Sequence, residues 1–214
     1  MDNRLMAPAQ HPLFARLYAR CISPSLRRMG ADPLRRRALD GLAGTVVEVG
    51  AGDGANFPFY PDTVEQVVAV EPEPYLRARA AEAAAAYPVV GVVDGTAERL
   101  PIADGTADAV VFTLVLCTVN DQVQALAEAR RVLRPGGELR VLEHVLAHEP
   151  GPLRSVQRAL DATFWPLLAG GCHCARDTVG AVEGAGFGFE SLERFTFPAG
   201  SRGLDSSVVL GRAR

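Results

Sequence analysis

The stretch Val46-Val47-Glu48-Val49-Gly50-Ala51-Gly52-Asp53-Gly54 decides the fold class of this sequence. Its first half is rich in valine, which is typical of a buried strand. Its second half places glycine at every other position, where the backbone can turn sharply and bring N–H groups close to a ligand. A helix that begins after such a turn favours negative groups at its N-terminus. The stretch therefore predicts a strand that runs into a nucleotide-binding turn.

Short β-branched runs alternate with alanine-rich or leucine-rich stretches from Thr45 onward. This alternation predicts an α/β fold, in which parallel strands are joined by crossover helices. The runs are apolar throughout, as strands covered by helices on both faces require. We expect strands at Thr45–Val49, Val67–Glu71, Val89–Val93, Ala109–Thr113 and Glu138–Glu143.

The segments between these strands carry helix signals, such as a proline or an aspartate at the first position. We expect helices at Pro74–Ala86, at Asp121–Leu133, after Pro152 and at Arg176–Ala185. Two last strand candidates, Phe189–Phe197 and Ser207–Leu210, are expected to form an antiparallel edge. The prediction is a doubly wound, mostly parallel, seven-stranded sheet.

The first 42 residues differ in pattern from the rest of the chain. Phe14, Leu17, Tyr18, Cys21 and Ile22 recur at helical spacing with arginines between them, which predicts an amphipathic helix. Three interpretations stay open: a lid over the ligand site, a helix packed on the sheet edge, or an anchor on a lipid surface. We therefore expect a helical lid or extension over residues 1–42 and one α/β domain over residues 43–214.

The composition favours a small-molecule partner. The 214 residues carry a net charge of -3, so no overall field attracts nucleic acid or an anionic membrane, and we expect contact with neither. The longest apolar stretch, Ala109 to Val119, is shorter than the roughly 20 residues that span a bilayer. Nothing before the cysteines resembles a secretory signal, so we expect free thiols and a cytoplasmic location. The sequence leaves the oligomeric state open.

The glycine turn by itself fits two kinds of nucleotide. Its spacing also matches a dinucleotide fingerprint, and Glu71 lies about 20 residues on, where that fold too places a ribose-binding acid. Glu48 discriminates between them, because a carboxylate before the turn suits a cationic amino-acid ligand and repels pyrophosphate. Glu71 can accept both ribose hydroxyls, and Pro72 ends the strand there. The stretch from Asp94 to Pro101 follows the third strand, where backbone groups can pair with an adenine edge.

Several phrases together resemble one family of enzymes. They are Glu48-Val49-Gly50-x-Gly52-x-Gly54-Ala55-Asn56-Phe57, Thr113-Leu114-Val115-Leu116-Cys117, Leu133-Arg134-Pro135-Gly136-Gly137, Glu143-His144, Leu160-Asp161, and Gly171-Cys172-His173 followed by Arg176 and Asp177. The chain resembles the class I S-adenosylmethionine-dependent methyltransferases, and among them the small bacterial and animal family related to the alkyl-thiol methyltransferases. Animal members carry a membrane-anchoring N-terminus, which the charged and interrupted helix here does not match.

The resemblance implies a Rossmann-like sheet, a methyltransferase domain over residues 43–214, and S-adenosyl-L-methionine as cofactor, with S-adenosyl-L-homocysteine as product. The expected cofactor-binding residues are Glu48, Gly50, Ala51, Gly52, Asn56, Glu71, Pro72, Gly95, Thr96, Ala97, Glu98, Thr113 and Leu114. Many members of the wider class carry aspartate where Thr96 stands. Contact with the adenine amino group is therefore left to Thr96, to the backbone or to water.

The acceptor is expected beyond the carboxyl ends of the fourth and fifth strands. The expected acceptor-binding residues are Cys117, Glu143, Cys172 and Arg176. His144, at a strand end, and His173, in the family-like motif, are candidate catalytic bases, and each is also explained as a hydrogen-bonded structural residue. A thiol acceptor needs mainly positioning and a nearby positive charge, whereas an alcohol needs a placed base.

Two neighbouring features have simpler explanations. The run Cys172-His173-Cys174 invites a metal hypothesis, but three consecutive residues do not easily converge on one ion, so we expect no metal site. Asp177 is at least as well explained as a helix cap as by a catalytic role.

The expected function is methyl transfer from S-adenosylmethionine to a small, fairly apolar acceptor, and the resemblance favours a thiol. A lipid amine, a quinone-like ring or a natural-product hydroxyl is the alternative acceptor. A module that binds the nucleotide without turnover is the alternative function.

Overall fold

The computed structural model of the protein describes residues 12–198 and 206–214, so residues 1–11 of the predicted extension lie outside the described residues. The strands are β1 (Gly44–Val49), β2 (Val64–Val70), β3 (Val90–Val93), β4 (Ala107–Thr113), β5 (Leu133–His144), β6 (Phe189–Phe197) and β7 (Ser206–Ala213). They form one sheet in the order β3-β2-β1-β4-β5-β7-β6. Strands β1 to β5 are parallel, and β7 runs antiparallel to both β5 and β6. The predicted doubly wound sheet with an antiparallel edge is confirmed.

The helices are α1 (Pro12–Leu17), α2 (Ser23–Arg28), α3 (Ala31–Leu39), α4 (Pro74–Ala84), α5 (Gln122–Val132), α6 (Pro152–Asp161), α7 (Trp165–Leu168) and α8 (Thr178–Gly184). A π-helical segment, Tyr18–Ile22, joins α1 to α2. The predicted amphipathic helix is therefore present but irregular. Its Phe14, Tyr18 and Ile22 are half-buried, whereas Leu17 and Cys21 are exposed. Among the described helices, none has the length and apolar content needed to cross a bilayer.

Element boundaries differ from the predictions where a side chain or a strand partner sets them. The carboxylate of Asp121 accepts from the Gln124 N–H, so α5 begins one residue later than predicted. The carboxylate of Asp177 accepts from the Gly180 N–H, so α8 begins after Asp177 rather than at Arg176. Strand β5 begins five residues early because Leu133 already pairs with Ala107.

Both faces of the central strands are buried. On one face Val47, Val49 and Phe112 pack with side chains of α5 and α8. On the other face Val46 and Val111 pack with side chains of α3, α4 and the short 3-10 turn Phe57–Phe59. Successive side chains of a strand alternate between the faces of a sheet, so an apolar run fills both cores. Because β2, β1, β4 and β5 are neighbouring parallel strands, their carboxyl ends lie side by side at one edge of the sheet.

Candidate active site

A cavity of about 350 Å³ lies at this edge of the sheet. That volume is within the range of about 300 to 1,000 Å³ that is usual for ligand pockets. Twelve of the predicted site residues line it: Gly50, Gly52, Glu71, Pro72, Gly95, Thr96, Ala97, Glu98, Thr113, Leu114, His173 and Arg176. Seven do not contribute to its lining: Glu48, Ala51, Asn56, Cys117, Glu143, His144 and Cys172.

The glycine turn that follows β1 forms the floor of the cavity. Gly50 has a φ of +69°, and a Cβ atom there would lie 2.6 Å from Cγ2 of Val115. Only glycine is accommodated at such a position without strain, because it lacks the Cβ atom and adopts a positive φ freely. Gly52 lies under the N-terminal segment, where a Cβ atom would be 3.6 Å from Cε1 of Tyr18. The turn is thus close-packed between the loop after β4 and the N-terminal helices.

Glu71 links the carboxyl ends of β1 and β2 by hydrogen bonds. Its Oε2 accepts from the Gly52 N–H at 2.8 Å, and its Oε1 accepts from the Glu73 N–H at 2.9 Å. The side chain is buried but reaches the cavity surface. Burial raises the pKa of the Glu71 carboxyl to about 7, although the two backbone N–H groups act in the opposite direction. Each oxygen retains a lone pair that can accept from a ligand hydroxyl.

Glu48 lies beneath the turn and has no surface on the cavity. Its carboxylate accepts from Asn56 Nδ2 at 3.0 Å and from the Tyr60 hydroxyl at 2.8 Å. Asn56 also accepts from the Arg35 guanidinium at 2.7 Å and donates to Thr113 Oγ1 at 3.1 Å. Glu48 shares a strand face with Val46, whose side chain points to the α3 core. We therefore expect Glu48 and Asn56 to support the turn and Thr113 from below rather than to contact the ligand.

The predicted adenine segment forms one side of the cavity. Gly95, Thr96, Ala97 and Glu98 all line it. A Cβ atom at Gly95 would lie 2.7 Å from Cδ of Pro101, so the segment folds back tightly on itself. The Glu98 carboxylate accepts from the Asn120 N–H at 2.9 Å, which joins this segment to the loop after β4.

The loop after β4 is held by a buried carboxylate. Glu143 is fully buried, and its Oε1 accepts from the N–H groups of Val115 and Leu116 at 2.8 and 2.9 Å. Burial raises the pKa of the Glu143 carboxyl to about 7. The sequence prediction placed Glu143 against the acceptor. In the structure its side chain lies behind the loop, so it positions the cavity wall without forming part of it.

His173 and Arg176 line the cavity beside the loop after β4. His173 Nδ1 lies 3.1 Å from the Asp161 carboxylate, which fixes the orientation of the imidazole ring. Arg176 donates to the carbonyl oxygens of Leu116 and Val119 at 2.7 and 2.6 Å. His173 is therefore the predicted histidine that reaches the cavity with an oriented ring.

The other predicted histidine, His144, lies with two cysteines behind the cavity wall. The Sγ atoms of Cys117 and Cys172 and a ring nitrogen of His144 lie within 4.8 Å of one another. The hydrogen bond between the two thiols lowers the pKa of Cys172 and raises that of Cys117, whose burial acts in the same direction. All four cysteines are free thiols.

Charge is distributed unevenly along the cavity. The side beside the glycine turn carries the carboxyl groups of Glu71 and Glu73, whereas the Glu98 carboxylate lies beside Asn120 in the loop after β4. Arg176 and His173 line the cavity beside the loop after β4, away from Glu71 and Glu73. A negatively lined pocket attracts a cationic ligand and disfavours pyrophosphate, so the cavity suits a positively charged nucleoside derivative better than a dinucleotide.

Comparisons with known proteins show the family to which the chain belongs. Residues 47–141 match the family described as "Methyltransferase domain". The chain is 32% identical over 141 residues to a phosphatidylethanolamine N-methyltransferase from Cereibacter sphaeroides, a match that covers 64% of this chain and 68% of the relative. The chain belongs to the S-adenosylmethionine-dependent methyltransferases.

Two human relatives are named thiol S-methyltransferases. The methyltransferase chain is 38% identical to thiol S-methyltransferase TMT1A over 158 residues, which is 72% of this chain and 64% of the relative. It is 36% identical to TMT1B over 165 residues, which is 74% of this chain and 66% of the relative. The matches thus extend over slightly less than two thirds of the length of these relatives.

Solved structures share the fold. An S-adenosylmethionine-dependent methyltransferase from Mesorhizobium loti superposes with a TM-score of 0.66 at 20% identity, over 86% of this chain and 99% of that one. A geranyl diphosphate methyltransferase in complex with S-adenosylmethionine superposes with a TM-score of 0.67 at 17% identity, over 97% and 92% of the two chains.

Some residues of the cavity were absent from the sequence predictions. Glu73, Thr118, Asn120 and Gly170 all line it. Glu73 had a detectable signal, because it precedes Pro74 as an N-cap, and its carboxylate accepts from the Leu76 N–H at 2.7 Å. Gly170 precedes the quoted Gly171-Cys172-His173 phrase but is brought to the cavity by packing against Phe14, which no local pattern indicates.

The buried carboxyl groups of the methyltransferase predict an inverted pH dependence of stability. Burial raises the pKa values of Glu48, Glu71 and Glu143 to about 7, above the value of an unfolded glutamate. Between these two values the three carboxyl groups bind more protons in the folded state than in the unfolded state. They outnumber Cys172, whose lowered pKa acts in the opposite direction, so the free energy of unfolding falls as pH rises. We expect chemical denaturation to give a higher free energy of unfolding at about pH 5.5 than at about pH 8.

Glu48→Gln separates this effect from general charge effects. The amide is neutral at every pH and can still accept from Asn56, so the variant is expected to show a shallower pH dependence than the parent. Glu65→Gln, at an exposed position of β2, is the matched control and is expected to leave the slope unchanged. A free energy of unfolding that rises steadily across this range in the parent protein contradicts the prediction.

Proposed function

We propose that the methyltransferase transfers the methyl group of S-adenosylmethionine to the sulfur of a small, fairly apolar thiol. The observation that carries this proposal is the charge separation within one cavity. The carboxyl groups of Glu71 and Glu73 lie beside the glycine turn, whereas Arg176 and His173 lie beside the loop after β4. The names of the two human relatives support a thiol as the acceptor.

In this proposal the cofactor lies along the carboxyl ends of β1, β2 and β4. The two oxygens of Glu71 would accept from its ribose hydroxyls, and residues 95–98 would hold its adenine ring. The turn at Gly50 and Gly52, which Glu48 and Asn56 support from below, would hold its methionine part.

The acceptor approaches from the side of His173 and Arg176. The thiolate sulfur attacks the methyl carbon, a new carbon–sulfur bond forms, and the bond from the methyl to the sulfonium sulfur breaks with its electron pair. A thioether and neutral S-adenosylhomocysteine result. His173, oriented by Asp161, accepts the thiol proton, and the Arg176 charge stabilises the thiolate before transfer. Alignment of nucleophile, methyl and leaving sulfur supplies most of the rate enhancement in such a displacement.

The N-terminal extension acts as a lid over the cavity in this proposal. Phe14, Ala15 and Tyr18 line the cavity from α1 and the π-helical segment. The Phe14 ring packs against Gly170, so the lid contacts the loop that follows α7. Exclusion of water by such a lid strengthens electrostatic interactions inside the site.

A lipid amine or a quinone-like ring is the second candidate acceptor. The relatives include the Cereibacter sphaeroides phosphatidylethanolamine N-methyltransferase and a demethylmenaquinone methyltransferase from Beutenbergia cavernae, which is 38% identical over 120 residues. Exposed apolar side chains of the α6–α7 region, Leu153, Val156, Phe164 and Leu167, offer a surface for such acceptors.

A panel of acceptors distinguishes these candidates. The protein is incubated with S-adenosylmethionine carrying an isotopically labelled methyl group and with an alkyl thiol, an aryl thiol, phosphatidylethanolamine vesicles or a reduced quinone. We expect the label in a thioether product, with formation of S-adenosylhomocysteine in equal amount. Label only in the lipid or quinone fraction would overturn the thiol assignment, and no labelled product with any acceptor would favour a non-catalytic binding module.

His173 is expected to affect transfer but not cofactor binding. His173→Ala removes the oriented base, and loss of general base catalysis lowers rates by about 10² to 10⁴-fold. We therefore expect kcat to fall, by less for a readily ionised thiol, while the Kd of S-adenosylhomocysteine stays unchanged. His148→Ala, in the exposed loop after β5, is the matched control. An unchanged kcat for every thiol would remove His173 from the mechanism.

A further inference from the structure

We propose that Cys117, His144 and Cys172 bind one thiophilic divalent metal ion, for which Zn²⁺ is the best match. The two Sγ atoms and a ring nitrogen of His144 lie within 4.8 Å of one another. This site lies behind the wall of the cavity, apart from the residues assigned to cofactor binding and methyl transfer.

The donor set matches the chemistry of zinc. Two thiolates and one imidazole are a known combination in three-ligand zinc sites, and two thiolates balance the charge of a divalent ion. Around a tetrahedral Zn²⁺, with bonds of about 2.3 Å to sulfur and about 2.0 to 2.1 Å to nitrogen, ligand atoms lie about 3.5 to 3.8 Å apart. The three donors therefore need to approach one another by only about 1 Å.

The backbone already holds the three donors in place. The Cys117 N–H lies 3.4 Å from the Glu143 carboxylate, and the Cys117 carbonyl accepts from the His173 N–H at 2.7 Å. His144 is the last residue of β5 and pairs with Val208 of β7. The Cys172 N–H donates to the Ala169 carbonyl at 3.1 Å. A ligand set fixed by strand pairing and loop hydrogen bonds loses little conformational entropy when an ion binds.

The other possible metal ligands nearby, Cys174 and His173, bond to other groups of the protein. The Cys174 thiol donates to the Gln157 carbonyl at 3.4 Å, and His173 pairs with Asp161. The sequence expectation of no metal site considered only the consecutive run Cys172-His173-Cys174. The proposed ligands come instead from three segments that are distant in sequence, and only one belongs to that run.

Three protein ligands leave the fourth position of a tetrahedral ion open. Cys117 and Cys172 lie next in sequence to Thr118, Gly171 and His173, which line the cavity. An ion at this site would therefore lie close to the acceptor end.

Cobalt titration tests the site, because thiolate ligation of Co²⁺ gives a near-ultraviolet charge-transfer band and tetrahedral geometry gives visible bands. The whole protein is reduced, treated with a chelator, and titrated with Co²⁺ without oxygen. We expect both sets of bands to saturate at one Co²⁺ per chain, and Zn²⁺ to remove them. Cys172→Ala and His144→Ala are each expected to lose the tetrahedral bands or shift them, and Cys172→Ala to weaken the charge-transfer band.

Cys174→Ala and His173→Ala are the matched controls, since they alter the residues beside Cys172 without altering a proposed ligand. Binding of S-adenosylhomocysteine by every variant verifies that it is folded, so loss of the cobalt bands is assigned to the site. The proposal is overturned if the folded parent protein gives no thiolate bands at stoichiometric Co²⁺. It is equally overturned if the Cys174→Ala control loses the bands as completely as Cys172→Ala.

Discussion

The hydrogen bond from the Gly52 N–H to the Glu71 carboxylate is the interaction on which the proposed cofactor site depends. It joins the turn after β1 to the end of β2, and the Glu73 N–H completes the arrangement by donating to the other oxygen. A buried carboxylate is costly unless backbone or ligand donors satisfy it. Glu71 therefore fixes the shape of the turn and presents its remaining lone pairs to the cavity. A second buried carboxylate, Glu143, performs the same task for the loop after β4.

In the proposed reaction, different sides of the cavity bind the methyl donor and the acceptor. A cationic donor is suited to the carboxyl groups near the glycine turn, whereas a nucleophile that reacts as an anion is suited to Arg176 and His173. In the proposed reaction the positive charge of the sulfonium and the negative charge of the thiolate cancel, because the two reactants give two neutral products. The protein therefore has little to gain from strong contacts with the products and much from holding sulfur, carbon and sulfur in line.

The fold could be predicted because its signals are local. The valine run, the glycine turn and the alternation of strands and helices each occupy a few neighbouring residues, and most strand ends are correct to within three residues. The roles predicted for side chains were less accurate where they depended on the direction in which the side chain points. Glu48 was expected to face the ligand, but alternation along β1 turns it toward α3 and Tyr60. The meeting of Cys117, His144 and Cys172 depends on the packing of distant segments, which no spacing in the sequence reveals.

Calorimetric titration of Glu71→Ala with S-adenosylhomocysteine tests the central claim most directly, with Glu82→Ala on the exposed face of α4 as control. Loss of hydrogen bonds to a charged group costs about 1.5 to 3 kcal/mol each, so we predict that Glu71→Ala weakens binding at least about tenfold. The parent protein and the control are predicted to bind S-adenosylhomocysteine equally and NADH not at all. Equal affinity of Glu71→Ala and the parent protein for S-adenosylhomocysteine, or tighter binding of NADH by the parent, would contradict the account.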